Sequence, residues 1–100
     1  MALIVYSSQA FRDFERIFDF IAADDVSRAA AVVEAIREAV SILERHPLIG
    51  RPAEQGLREL VISRGKTGYV ALYRYVERSD VVLVLALRHQ REAGYEPTVE

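Results

Sequence analysis

Cysteine is absent from this chain of 100 residues. Without thiols there is no disulfide framework, no zinc thiolate site and no cysteine nucleophile, and the chain suits a reducing cytosol. Helix- and strand-breaking residues are few. The three prolines and five glycines gather between residues 47 and 68 and again from residue 94 on. Long hydrophobic runs are also missing. The seven apolar residues from Val81 to Leu87 fall far short of a membrane span. No secretory signal is expected, because residues 1–6 are apolar but too few and Ser7 to Arg16 turns polar at once. Nor is there a phosphate loop, a dinucleotide-binding glycine pattern, a metal-spaced His or Cys set, or a nucleophile elbow. Gly65-Lys66-Thr67 looks like the end of a phosphate loop, but the preceding glycine is missing and no long helix comes after it.

One charge sign does not dominate either. The net charge of −2 does not suit a protein that lives on a nucleic-acid backbone. The distribution is uneven: residues 1–50 hold five arginines against eight acids, a net of −3, and residues 51–100 hold eight basic residues against seven acids, a net of +1. Within Arg51 to Arg74 the balance is five basic to two acidic. Half of the residues (51%) are apolar and 28% charged, the composition of one globular domain with one core.

The periodicities give the elements. Leu3 to Tyr6 reads as a short strand, and Ser7 or Ser8 as the cap of a helix. Phe11, Phe14, Ile17, Phe18 and Ile21 recur at three and four residues, with Arg12, Asp13, Glu15, Arg16 and Asp19 opposite, so Ser8 to Ala23 is an amphipathic helix. Asp24-Asp25 interrupts it. Ala29, Val33, Ile36, Val40 and Leu43 define a second helix from Val26 to Arg45, stopped because His46 precedes Pro47. An irregular loop comes next, in which Leu48 and Ile49 are expected to plug the edge of the core. Leu57 to Ile62, Tyr69 to Val76 and Val81 to Leu87 then read as three strands joined by short turns, the first at Arg64 to Gly68. The fold class is therefore α+β: a helical hairpin packed on a small, mainly antiparallel sheet, in the order strand-helix-helix-strand-strand-strand. Residues 1–100 form a single domain, with residues 93–100 a loose tail. The unbroken run Val81 to Leu87 has no polar side, so it is expected in the middle of the sheet with both faces covered.

The candidate site lies where that run stops. Strict alternation puts His89 on the side of Leu85 and Leu87, and Arg88 on the side of Val84 and Ala86. Tyr73 and Arg74 alternate in the neighbouring strand and Arg58 lies one strand further on. Such a cluster suits two chemistries. Arginine stabilises a pentavalent phosphate while His or Tyr moves a proton, and Tyr and Arg also dominate protein-binding hot spots. The plainer possibility is that Arg58, Arg74 and Arg88 only pair with acids at the sheet edge.

Four segments occur in order: PLIGRP (Pro47 to Pro52), GLRELVI (Gly56 to Ile62), GYVALYRY (Gly68 to Tyr75) and LRHQREAGY (Leu87 to Tyr95). Together they resemble the ParE/RelE toxin superfamily, and more narrowly its ParE-like, plasmid-stabilisation branch, over nearly the whole chain. The resemblance implies a small bacterial, cytoplasmic toxin of a type II toxin–antitoxin system. It implies a ParD-like antitoxin as partner, no cofactor, no metal, no membrane and no sequence-specific nucleic-acid binding. RelE-like members are ribosome-dependent mRNA endonucleases with basic side chains where Val61, Ser63 and Val70 align, and those positions are not basic here. ParE-like members poison DNA gyrase, which needs no catalytic residue, and this is the activity expected. The target-binding set would be Arg58, Tyr73, Arg74, Arg88, His89, Arg91 and Tyr95. The alternative is the ribonuclease, with Arg88, His89 and Tyr95 as its catalytic residues. An antitoxin is expected along the apolar groove of the two helices, on Phe11, Phe14, Phe18, Val33, Ile36 and Val40, and at the sheet edge.

Overall fold

A hydroxyl and a carboxylate start the two helices. Ser7 is extended and its Oγ accepts from the Ala10 amide at 3.1 Å, opening α1 (Ser8–Ala22). Asp25 does the same for the Arg28 amide at 3.1 Å and opens α2 (Val26–Val40). Each cap satisfies a first-turn donor that has no partner inside the helix. The second helix ends earlier than its apolar spacing predicts, because Ser41–Glu44 tightens into a 3₁₀ turn ahead of Pro47. The structure, a computed structural model, describes residues 1–64 and 67–91. The expected turn residues Gly65 and Lys66, the expected loose tail 93–100 and Tyr95 lie outside the described residues.

Five strands form one sheet: β1 (Leu3–Tyr6), β2 (Arg51–Pro52), β3 (Arg58–Arg64), β4 (Thr67–Val76) and β5 (Val81–His89), in the order β1-β5-β4-β3-β2. The last three make the expected antiparallel meander, while β1 runs parallel to β5. The two-residue strand β2 was not expected. It is an edge strand, where a proline costs no ladder bond. The turn between β4 and β5 is closed by Asp80, whose φ of 54° is in the left-handed region that aspartate tolerates. Its carboxylate accepts from the Tyr75 hydroxyl at 2.8 Å.

β4, not β5, holds the middle of the sheet. The expectation that both faces of Val81 to Leu87 are covered holds only in part. Val82 and Val84 are buried under the helices, but Val81, Leu83 and Leu85 are only half-buried. An apolar run of this length has come from a strand with one packed face and one partly open one.

A β-bulge changes the alternation inside this run. Tyr73 pairs with Val84 and Leu72 with Ala86, leaving Leu85 as an extra residue. Before the bulge Val82 and Val84 face the helices, and after it Leu87 and His89 do, opposite Ala71 and Tyr69. The core therefore runs without a gap from α1 (Ala10, Phe14, Ile17, Ile21) and α2 (Ala29, Val32, Ile36, Val40) onto Tyr69, Ala71, Tyr73, Val82, Val84 and Leu87.

β1 ends at Tyr6, opposite Val84, so among the described residues no strand lies beside the far half of β5 on that side. Side chains of α1 take its place. The Ser7 hydroxyl donates to the Leu85 carbonyl at 2.9 Å, Asp13 Oδ2 accepts from the Leu87 amide at 2.8 Å, and Arg16 donates to the Leu87 carbonyl at 3.3 Å. Asp13, expected on the wet side of the helix, is 1% exposed. Its other oxygen accepts from Gln9 at 3.0 Å and lies 3.7 Å from Arg16.

The loop before β3 is fastened from beneath. Tyr73 is fully buried and its hydroxyl accepts from the Gly50 amide at 2.9 Å. Arg58 donates to the carbonyls of Leu48 (3.1 Å) and Gly50 (2.8 Å). Leu48 and Ile49 do not plug the core; both are more than half exposed, and the tyrosine ring fills that role. Burial pushes the Tyr73 phenol above its ordinary value of 10.0, against the smaller opposing pull of the Gly50 amide and Arg58. The folded state thus favours the neutral phenol. Its contribution to stability is complete below pH 10 and fades as pH rises through the folded value. Thermal melts over about pH 8 to 11 should show Tm falling at the alkaline end, with a shallower fall for Tyr73→Phe. The slope should not vanish, since Tyr6 is raised by burial as well. An unchanged slope in the variant would contradict this assignment.

Candidate functional site

The residues that alternation would have gathered are divided between two surfaces. The register places Arg74 beside Leu83 and Arg88 beside Val70, on the sheet face turned away from the helices. Val61 lies opposite Val70 on that same face. Arg74 is exposed. Arg88 is half-buried, and its guanidinium donates to the carbonyls of His89 (3.2 Å) and Gln90 (3.3 Å). Leu3, Val5, Val61 and Val76 give this face an exposed apolar character around the two arginines.

The helix-side face holds the others. Tyr73 is sealed in the core and cannot touch a target directly, and Arg58 is committed to the Leu48 and Gly50 carbonyls. Both are therefore supports of the fold, which corrects their expected place in a binding surface. His89 is moved to this side by the bulge, so it does not share the side of Leu85 as strict alternation required. Its ring meets Tyr69 edge-on, with centroids 5.3 Å apart, and Nδ1 accepts from the Arg91 amide at 3.1 Å. These groups line a cleft of about 630 Å³ together with Arg16, Ile17, Phe20, Ile21, Asp24 and Arg28. Arg91 is exposed at its rim.

The six residues expected to meet an antitoxin are divided too. Phe14, Ile36 and Val40 are buried against the sheet and do not form a surface groove. Phe18 and Val33 are partly buried, and Phe11 is 58% exposed beside Tyr6 (ring centroids 6.0 Å apart). The exposed apolar residues of the hairpin are instead Phe11, Phe20 and Val26, with Phe20 at 82%.

Three features escaped the sequence. Asp13 had a signal, since it stands three residues after Ala10 and four before Ile17, inside the buried stripe. Phe20 had the opposite one, falling outside that spacing as the only exposed ring of the last turn. The bulge at Leu85 had none, because every residue around it is apolar. Among the described residues no group of three or more His, Asp or Glu is placed to hold a metal, and no helix is long and apolar enough to cross a membrane.

This fold has known counterparts. Residues 4–94 match the model of the ParE toxin of type II toxin–antitoxin systems. Toxin RelE3 of Caulobacter vibrioides is 29% identical over 92 residues, spanning 92% of this chain and 98% of its own. The Sinorhizobium fredii protein Y4kP is 34% identical over 89 residues, spanning 88% and 90% of the two chains. Among solved structures, a chain of the chromosomal ParDE system of Pseudomonas aeruginosa superposes with a TM-score of 0.69 at 24% identity, over 85% of this chain and 91% of that one. The intact RelBE complex of Escherichia coli gives 0.65 at 13% identity, over 87% and 94%, so these two likenesses bear on fold. From the match across nearly its whole length, the chain belongs to the ParE toxin family of type II toxin–antitoxin systems.

Proposed function

We propose that the chain arrests growth by trapping DNA gyrase on cleaved DNA, and that a ParD-like antitoxin neutralises it. One observation carries the choice of gyrase over RNA cleavage. Where an RNA-cleaving site on this fold would want cations, Val61 and Val70 face each other across β3 and β4 on the open face. A phosphorane brought to that face would meet the exposed methyl groups of Val61, over a Val70 that is buried and carries no charge, with Arg88 beside it; preorganised positive charge is the chief means of stabilising such a state. His89 is turned to the other side of the sheet, away from this surface. What the open face offers instead is apolar area with two arginines, the composition of a protein-binding surface. An antitoxin has Phe11, and to a lesser extent Phe18 and Val33, available on the helices. The chain is similar to partners solved as toxin–antitoxin complexes in P. aeruginosa, E. coli and Mycobacterium tuberculosis.

Purified chain incubated with gyrase, ATP and supercoiled plasmid should leave linear DNA after the protein is removed. Arg74→Glu should lower the yield of linear DNA by about tenfold if the open face makes the contact. Undiminished supercoiling at excess toxin would overturn the proposal. A second reading, ribosome-dependent mRNA cleavage, draws on Arg74 and Arg88 sharing one face. Primer extension on mRNA in a translating extract would reveal its cuts, and intact mRNA would exclude it.

A further inference from the structure

The cleft between α1 and the end of β5 lies apart from the open sheet face, over the edge of the core. We infer that it binds a phosphorylated nucleoside. Its volume of about 630 Å³ is that of a site for one small molecule. Its inner wall is apolar, made by Ile17 and Ile21 of α1 and by the Tyr69 ring. Tyr69 is fixed by its edge-on contact with His89, so its place in the wall is preset. Phe20 stands at the rim with 82% of its surface in water, a ring face open to stacking.

The polar lining is mostly cationic: three arginines (Arg16, Arg28, Arg91) against the single acid Asp24. Arg16 is tied to the Leu87 carbonyl and lies beside Asp13, so it forms part of the wall. Arg28 and Arg91 are exposed and can close on an anion. A flat ring between Phe20 and the apolar wall, a phosphate between Arg28 and Arg91, and a donor from ribose or base to Asp24 would use every part of the lining. An acidic aliphatic peptide would use the arginines but leave the exposed Phe20 ring without a stacking partner. The proposal does not depend on gyrase, since none of these residues lies on the open face.

Titration of the full chain with adenosine 5′-monophosphate, followed by nuclear magnetic resonance, tests it. Saturable shifts are expected at Phe20, Tyr69 and His89, with adenosine alone and inorganic phosphate alone each binding at least tenfold more weakly. Phe20→Ala and Arg28→Ala should each weaken binding about tenfold. Both residues are exposed, so Tm should stay at the parent value and serve as the folding control. Absence of saturable shifts in the parent chain at millimolar nucleotide would overturn the proposal. So would phosphate binding as tightly as the nucleotide, indifference to Phe20→Ala, or shifts centred on Arg74 and Arg88. Gyrase trapping would be unaffected by any of these results, so failure here and failure of the gyrase reading are told apart.

Discussion

Asp13→Ala should lower stability by about 3 kcal/mol, which for a domain of this size is a fall in Tm of about 12–24 °C. The loss comes from the partners rather than from the side chain itself. Removing the carboxylate strands the buried Leu87 amide, which β1 does not reach because it has ended at Tyr6. It also releases the Gln9 amide and takes away the acid 3.7 Å from Arg16. Asp13→Asn should cost about half as much. One of its two terminal atoms still accepts, but the other is now a donor facing a donor. Gln9 cannot relieve this by turning its amide over without surrendering the bond that its Oε1 accepts from Arg12 at 2.9 Å. Chemical denaturation of the two variants beside the parent measures both numbers. A loss below about 1 kcal/mol for Asp13→Ala would show that water takes the place of the carboxylate as acceptor.

Gly50→Ala should be nearly as damaging, at about 2–3 kcal/mol. The reason is room, not backbone conformation. A methyl group there would sit 2.6 Å from both Cε1 and the hydroxyl oxygen of Tyr73 and 2.9 Å from the Glu59 carbonyl oxygen. None of these can retreat. The Tyr73 ring is fully buried, and the carbonyl belongs to the β3 backbone. The same substitution at Gly68 has the side-chain amide of Gln90 as its nearest neighbour, an exposed residue that can swing away. Gly68→Ala should therefore stay within about 1 kcal/mol of the parent. Equal losses at the two glycines would show that steric room is not what separates them. Gly50→Ala should also weaken the bond between the Gly50 amide and Tyr73, so the double variant with Tyr73→Phe should lose less than the two single losses combined.

Much of the architecture was legible because each element carries its own period. Ile17 and Ile21 mark one helix, Ile36 and Val40 the next, and their buried faces are where the spacing put them. The helix starts were legible from Ser7 and Asp25, the meander from the turn residues between its strands. The middle of the sheet was misplaced because an all-apolar strand looks as if it must be covered on both sides. β5 instead has one packed face and one half-open one. Asp13 was put on the wet side because a charged residue is assumed to seek water. It is inside because a strand ran out of backbone partners, a tertiary circumstance that no local pattern records.

The candidate site was legible in content but not in arrangement. Arg74, Arg88, His89 and Arg91 are where a site was expected along the chain, yet they belong to two surfaces. Tyr73 and Arg58 looked like recognition residues because of their type. Both are consumed by the loop that they hold, through Gly50 and Leu48. The antitoxin surface erred in a related way. Phe14, Ile36 and Val40 are the strongest points of the apolar stripes, and for that reason the core has taken them.

The extra residue at Leu85 makes the end of the chain tolerant of one particular loss. With Leu85 removed, Val84 and Ala86 would become successive residues and keep Tyr73 and Leu72, themselves successive, as partners, so the ladder would close without a bulge. Leu87 and His89 would stay on the helix side and Arg88 on the face of Arg74. One residue removed from the regular stretch beyond it, with the bulge kept, would instead turn over every side chain that follows. In a lineage of such chains, the position of a lost codon, not the loss itself, decides whether the two surfaces keep their groups.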